Sequence, residues 1–151
     1  MIKKIQLFFE KNFMLNSVSA VPDEHQLNLA AAALLIEMIL QDDNVDKAEV
    51  SEVKKLLITQ FAISVEEMES LYALAEEEKH QSTDYHEFTS LIAKHYTQPQ
   101  KIQLIESLWR VAYADQVLDK YEEHMVRRIS DLIYVSHKDF IQAKHRVESS
   151  L

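Results

Sequence analysis

Two short acidic segments carry the residue types best suited to chemistry. Asp42-Asp43-Asn44-Val45-Asp46-Lys47-Ala48-Glu49 and Asp115-Gln116-Val117-Leu118-Asp119-Lys120-Tyr121-Glu122 share the form Asp-x-x-x-Asp-x-x-Glu. Carboxylates at this spacing can do two things. Asp46 and Asp119 are good helix N-caps, and Glu49 and Glu122 would complete capping boxes contributing about 0.5–2 kcal/mol each. Alternatively, a hard cation such as calcium or magnesium takes several oxygen ligands, which carboxylates and turn carbonyls supply. Asp42 and Asp115 are the residues that capping leaves unexplained. At the end of a preceding helix each would face the negative end of the macrodipole and lose roughly 0.3–1 kcal/mol. A charge so placed twice calls for a Lys, the start of the next helix or a bound cation as its partner. Two readings of Asp42, Asp46, Glu49, Asp115, Asp119 and Glu122 therefore stand: one shared divalent-cation site, or helix caps alone. Neither segment is an EF-hand, since Lys47 replaces the Gly, Val53 the bidentate Glu, and Val117 and Val126 fall at ligand positions.

The elements around these turns read as helices throughout. Residues 24–41 place Leu27, Ala31, Leu34, Leu35 and Met38 on one apolar stripe, and residues 47–61 do the same with Val50, Val53, Leu57 and Phe61. Residues 65–80 turn Met68, Leu71, Tyr72 and Ala75 inward and crowd Glu66, Glu67, Glu69, Glu76, Glu77 and Glu78 onto the solvent side. A short helix covers 85–95 behind an Asp84-x-x-Glu87 capping box. Thr97-Gln98-Pro99 then opens a long helix to about Ala114, with Pro99 in the first turn, where its missing N–H is harmless. Helices over 120–133 and 137–149 follow, Ser136 capping the second. The expected core draws on Leu35, Met38, Val53, Leu57, Leu108, Trp109, Ala112, Val126 and Ile129.

The acidic segments belong to a longer internal repeat. A shift of 73 residues lays Asp42–Glu49 on Asp115–Glu122, so that Asp, Asp, Lys and Glu coincide and Val45 falls on Leu118. Val53 then meets Val126, Lys54-Lys55 meet Arg127-Arg128, Leu56 meets Ile129, and Leu35 meets Leu108. One residue of slippage brings Ser64 onto Ser136. These matches predict an all-α, single-domain bundle of about seven to eight helices, with its main helical domain over residues 21–151. It is built from two helix–acidic turn–helix units, near 28–80 and 101–149, with the 85–95 helix between them. The units should be related by a pseudo-two-fold or a simple rotation. Residues 1–20 stand apart as an amphipathic helix and linker. Ile2, Ile5, Phe8, Phe9 and Phe13 share one face of residues 1–16, fit for docking on the bundle, on a second copy or at a membrane surface.

This duplicated turn resembles that of the tellurite-resistance TerB-like family, in a bacterial subgroup with an extra amino-terminal helix. The family's turn reads Ala-Asp-Gly-x-[Val/Ile/Leu]-[Ser/Asp]-x-x-Glu, in both halves of an all-helical domain. Ala114 to Glu122 fits every place but the Gly, and so does Asp42 to Glu49 apart from its leading Gln41. Asp43 and Gln116 stand where the family has Gly. The resemblance covers roughly residues 24–149. It implies a TerB-like fold, metal binding by the acidic residues and a role in stress-response complexes near the membrane.

Composition narrows the alternatives. The 151 residues, 47% apolar and 27% charged, suit one folded domain. A formal charge of −9 without a long Lys/Arg cluster argues against a nucleic-acid partner. The absence of Gly removes P-loops and Rossmann fingerprints, and the absence of Cys removes thiol nucleophiles, disulfides and iron–sulfur ligation. His86-Glu87 begins like a zincin helix, but Ser90 stands where the second His belongs. His80, His86 and His95 flank one short helix and read as surface or partly buried residues. Glu37 and Glu106 lie in apolar helices without the His three residues on that di-iron bundles use. Trp109 and Tyr113 read as core anchors. No Ser/His/Asp set has a local signature. The longest apolar run, Leu29–Ile36, is too short to cross a bilayer, and the basic start leads to no cleavage site. A cytoplasmic, non-enzymatic module is expected, taking a divalent cation and a protein partner or a second copy. The alternative is a structural or interaction domain whose acidic turns are only caps.

Overall fold

A computed structural model describes residues 24–40, 47–77, 86–114, 118 and 120–151, with backbone alone for 86 and 87. The helix expected over residues 1–16, the linker after it, the Asp84-x-x-Glu87 box and His80 lie outside the described residues or in that backbone-only stretch. Seven helices and no strand are found among the described residues: α1 (Glu24–Leu40), α2 (Lys47–Thr59), α3 (Val65–Glu77), α4 (His86–His95), α5 (Gln98–Ala112), α6 (Lys120–Leu132) and α7 (His137–Ser149). Each lies where the periodicity and caps place it, within about three residues at either end.

The helix α1 departs from its expected character. Every residue from Leu29 to Leu40 is buried, so the apolar surface is no stripe but the full circumference. The reading of one apolar face missed that Leu29, Ala30, Ala32, Ala33 and Ile36 lie outside it and are equally apolar. A helix of this kind must be enclosed on all sides. The helices α2, α3, α4 and α5 all pack against it. The run Ala30–Ala33 is strongly helix-forming and presents little bulk, which allows the neighbours close approach. The expected core residues are all buried, Trp109 among the largest of them.

The repeat is visible in the packing. In each unit the first helix packs most extensively on the third, less on the second, and the second and third touch least. The pairs are α1·α3, α1·α2 and α2·α3 in the first unit, and α5·α7, α5·α6 and α6·α7 in the second. Between the units α1 packs on α5, and α2 also packs on α5. The contact that would mirror α2·α5 is bridged by α4, which packs on both α1 and α6.

The one-residue slippage has a definite location. At the end of α6 the amide of Val135 donates to the carbonyl of Ser130 at 2.9 Å and that of Tyr134 to Asp131 at 3.2 Å. With Tyr134 at φ 64°, this is a Schellman ending. At the end of α2 the corresponding long bond runs from Ile63 to Leu57 at 2.9 Å, one residue wider, and Leu56 accepts from both Gln60 and Phe61. The extra residue of the first unit is absorbed there, with Ala62 at φ 51°. Both corners then open a helix with a capping Ser. Ser64 and Glu67 exchange reciprocal bonds of 3.1 Å, and Ser136 Oγ accepts from Asp139 N–H at 3.2 Å. Thr97 and Gln100 form the same box at the head of α5, with Pro99 in its first turn.

Trp109 is the anchor of the second unit. Its ring is fully buried, lies 5.1 Å from that of Phe140 and 6.0 Å from that of Tyr113, and its Nε1–H donates to the Phe140 carbonyl at 3.3 Å. Trp109→Ala should destabilise the fold by about 3–5 kcal/mol in urea unfolding, and a loss below about 1 kcal/mol would refute this anchoring role. In a chain without Gly, both left-handed corners hold residues with a β-carbon. Tyr134→Gly and Ala62→Gly should each raise unfolding stability by about 1 kcal/mol, the relief of left-handed strain exceeding the added freedom of the unfolded chain.

Candidate functional site

The acidic turns join the first helix of each unit to the second. Lys47 and Lys120 are the first residues of α2 and α6, so Glu49 and Glu122 occupy the same third position of equivalent helices. That is the register a capping box needs, with Asp46 and Asp119 immediately before each helix in sequence. Both glutamates are partnered. Glu49 is only 8% exposed, and one carboxylate oxygen of Glu122, Oε2, is buried although the residue as a whole is half-buried. Leu118, in the middle of the second turn, packs half-buried against the core. Asp42, Asp46, Asp115 and Asp119 lie outside the described residues.

The ends of the preceding helices are described. The helix α1 ends at Leu40, two residues before Asp42. The helix α5 ends at Ala112, earlier than the expected Ala114, and Tyr113 donates its backbone N–H back to Trp109 at 2.9 Å. Asp115 therefore follows the last helical residue by three, not directly, and the macrodipole penalty argued from sequence is correspondingly smaller. Among the described residues no group of three or more His, Cys, Asp or Glu is placed to hold a metal ion. Beside the second turn, the outer face of α6 bears a depression of about 570 Å³, lined among the described residues by Lys120, Tyr121, Glu123, His124 and Arg127.

The family model described as tellurite resistance protein TerB matches residues 28–145 of this chain. The chain belongs to the TerB family. No curated protein and no solved structure gives a significant match. The TerB match begins inside α1 and ends inside α7, so it takes in both units, both acidic turns and α4.

Several polar side chains that hold this TerB-family domain together were not distinguished in the sequence. Asn28, on α1, donates from Nδ2 to the Phe61 carbonyl at 3.1 Å and accepts at Oδ1 from the Tyr96 hydroxyl at 2.7 Å. It ties the central helix to the α2–α3 corner and to the end of α4. Burial, helped by the charge of Glu24, pushes the Tyr96 hydroxyl far above its ordinary pKa, so it remains a donor. Glu106 is half-buried and paired with Arg146 Nε at 2.6 Å. Glu37 is buried in α1 at 2% exposure and is partnered. Tyr113 donates its hydroxyl to Glu148 at 2.7 Å, a bond that holds Glu148 below its usual carboxylate value against the smaller effect of burial. No local signal could have found these pairs, because their members lie 33 or more residues apart in the chain.

Glu67 does two jobs at once. One oxygen completes the Ser64 capping box, and the other lies 2.6 Å from His25 Nε2, joining α3 to the start of α1. Burial works against the ionised carboxylate, yet the hydrogen bonds of His25 and Ser64 prevail and lower its pKa. A carboxylate lowered on folding stabilises the protein above the unfolded value, about 4.3, and loses that contribution as pH falls through the folded value. Glu67→Gln keeps a capping side chain but removes this charge. The wild type should therefore be the more stable above about pH 5, with the difference disappearing in more acidic solution. A gap that is constant with pH in thermal unfolding would refute the assignment.

Proposed function

We propose that this TerB-family domain is a non-enzymatic binding module whose paired acidic turns hold a hard divalent cation, calcium or magnesium, and whose surface beside them docks a protein partner. The observation that carries the reading is the burial of Glu49 and of one carboxylate oxygen of Glu122 in equivalent register. A glutamate that caps a helix can do so near solvent, as Glu67 does with 24% of its side chain exposed. Glu49 and the Oε2 of Glu122 are withdrawn from water at the third position of α2 and α6, where a charge is stable only beside donors or a cation. The donor set of Asp42, Asp46, Glu49, Asp115, Asp119 and Glu122 is all oxygen, which suits calcium or magnesium over softer metals. Bound there, the cation would offset the negative charge of these carboxylates. The partner would meet the cationic and aromatic face of α6 beside the second turn.

The family's description supports a place in tellurite resistance or a related bacterial stress response. No helix among the described residues is long and apolar enough to cross a membrane. Membrane proximity would come through the amphipathic residues 1–16 at the surface, with the rest of the domain in the cytoplasm. The second reading keeps the same geometry with the turns as caps alone, which the position of both glutamates in the first helical turn favours.

The melting temperature separates the readings. A cation that binds only the folded state raises it according to RT ln(1 + [L]/Kd). Wild type should show this rise in millimolar calcium or magnesium. Asp42→Asn with Asp115→Asn keeps both caps, removes two charges, abolishes the rise and gains stability without metal. A wild type indifferent to calcium, magnesium, manganese and zinc leaves only the caps.

A further inference from the structure

The two left-handed corners are equivalent in the repeat but filled differently. At the α2–α3 corner the residue is Ala62, and its neighbours Phe61 and Ile63 are buried. At the α6–α7 corner it is Tyr134, 77% exposed, two residues after Leu132, itself 37% exposed. Ala62 shows that a small residue serves this corner. A tyrosine there adds little burial and holds a bulky residue at positive φ, a region such residues rarely occupy. Strain kept at an exposed aromatic points to recognition rather than to folding.

A receiving surface lies beside it. Between α4 and this corner runs a groove of about 270 Å³, lined by Thr89, Ser90, Ala93, Lys94, Leu132 and Tyr134. It is smaller than the roughly 300–1,000 Å³ of small-molecule sites, and suits an inserted side chain. Lys94 on α4 lines it, Asp131 on α6 adjoins Leu132 and accepts at its carbonyl from Tyr134 N–H, both are exposed, and among the described residues neither side chain forms an ion pair.

A protruding aromatic, a hollow beside it and two opposite charges on one patch form a self-complementary surface, the requirement of a two-fold dimer. We propose that the occupant of this groove is the same corner of a second copy. Tyr134 and Leu132 of each protomer seat in the groove of the other, and Lys94 faces the partner's Asp131, each contact being made twice. The patch is at the far end of α6 from the acidic turn, about 20 Å away along a helix of 13 residues. The dimer is thus independent of the cation reading.

Sedimentation equilibrium of the full chain, from about 10 µM to about 1 mM, tests it. Wild type should show a reversible monomer–dimer equilibrium. Tyr134→Gly, which removes the ring and relieves the corner, should stay monomeric with an unchanged or higher melting temperature, so that misfolding is not the cause. Lys94→Glu should weaken the dimer about tenfold or more, and adding Asp131→Lys should restore it. A wild type monomeric throughout, or a Tyr134→Gly chain that dimerises as wild type does, overturns the proposal.

Discussion

The enclosure of α1 is the constraint on which the rest of the domain depends. A helix apolar around its whole circumference gains nothing from lying on one partner, because any remaining face would stay in water. It becomes stable only inside a ring of others, here α2, α3, α4 and α5. That need gives α4 its place. The helix belongs to neither unit, yet it covers α1 and reaches α6, replacing a direct mirror of the α2·α5 contact. The second unit has no such axis: on α5 Gln103 is exposed and Glu106 and Arg110 are only half-buried, and the helix is centred instead on the Trp109 cluster. A duplicated pattern has therefore produced one wholly internal helix and one that is only partly so.

Absence of Gly shapes the corners. Most helices that end in a left-handed residue use Gly, which has no β-carbon to strain. This chain ends α2 and α6 that way with Ala62 and Tyr134, and holds each corner by a buried residue following it, Ile63 or Val135, and by a capping Ser. Apolar burial and a fresh helix start outweigh a strain of roughly 1–2 kcal/mol at each corner. The wider ending of α2 shows that such a corner tolerates an inserted residue, because the extra amide finds a carbonyl in the last turn.

The candidate site inherits its position from this frame. Each acidic turn leaves a helix packed in the core and enters one whose third residue is a glutamate drawn away from solvent. On the reading proposed above, the helical register of Glu49 and Glu122 holds these two carboxylates in place before a cation arrives. The same rigidity would serve caps equally well, which is why charge removal at Asp42 and Asp115, rather than geometry, distinguishes the two.

The sequence by itself determined the seven described helices, the helix starts at Ser64, Thr97 and Ser136 and the duplication, because 3.6-residue periodicity, an N-cap Ser or Thr and a repeated acidic motif are local signals read within a few residues. It also determined the register of Glu49 and Glu122, which follows from counting along α2 and α6. What surrounds α1 was decided by tertiary structure alone. Leu29 to Leu40 could be read as a stripe until every one of these residues was found buried, with α2, α3, α4 and α5 packed against the helix. The polar ties were likewise invisible, since His25 and Glu67, Asn28 and Tyr96, or Glu106 and Arg146 are 42, 68 and 40 residues apart. Side chains so separated meet only when packing brings their helices together, and no spacing along the chain records the encounter.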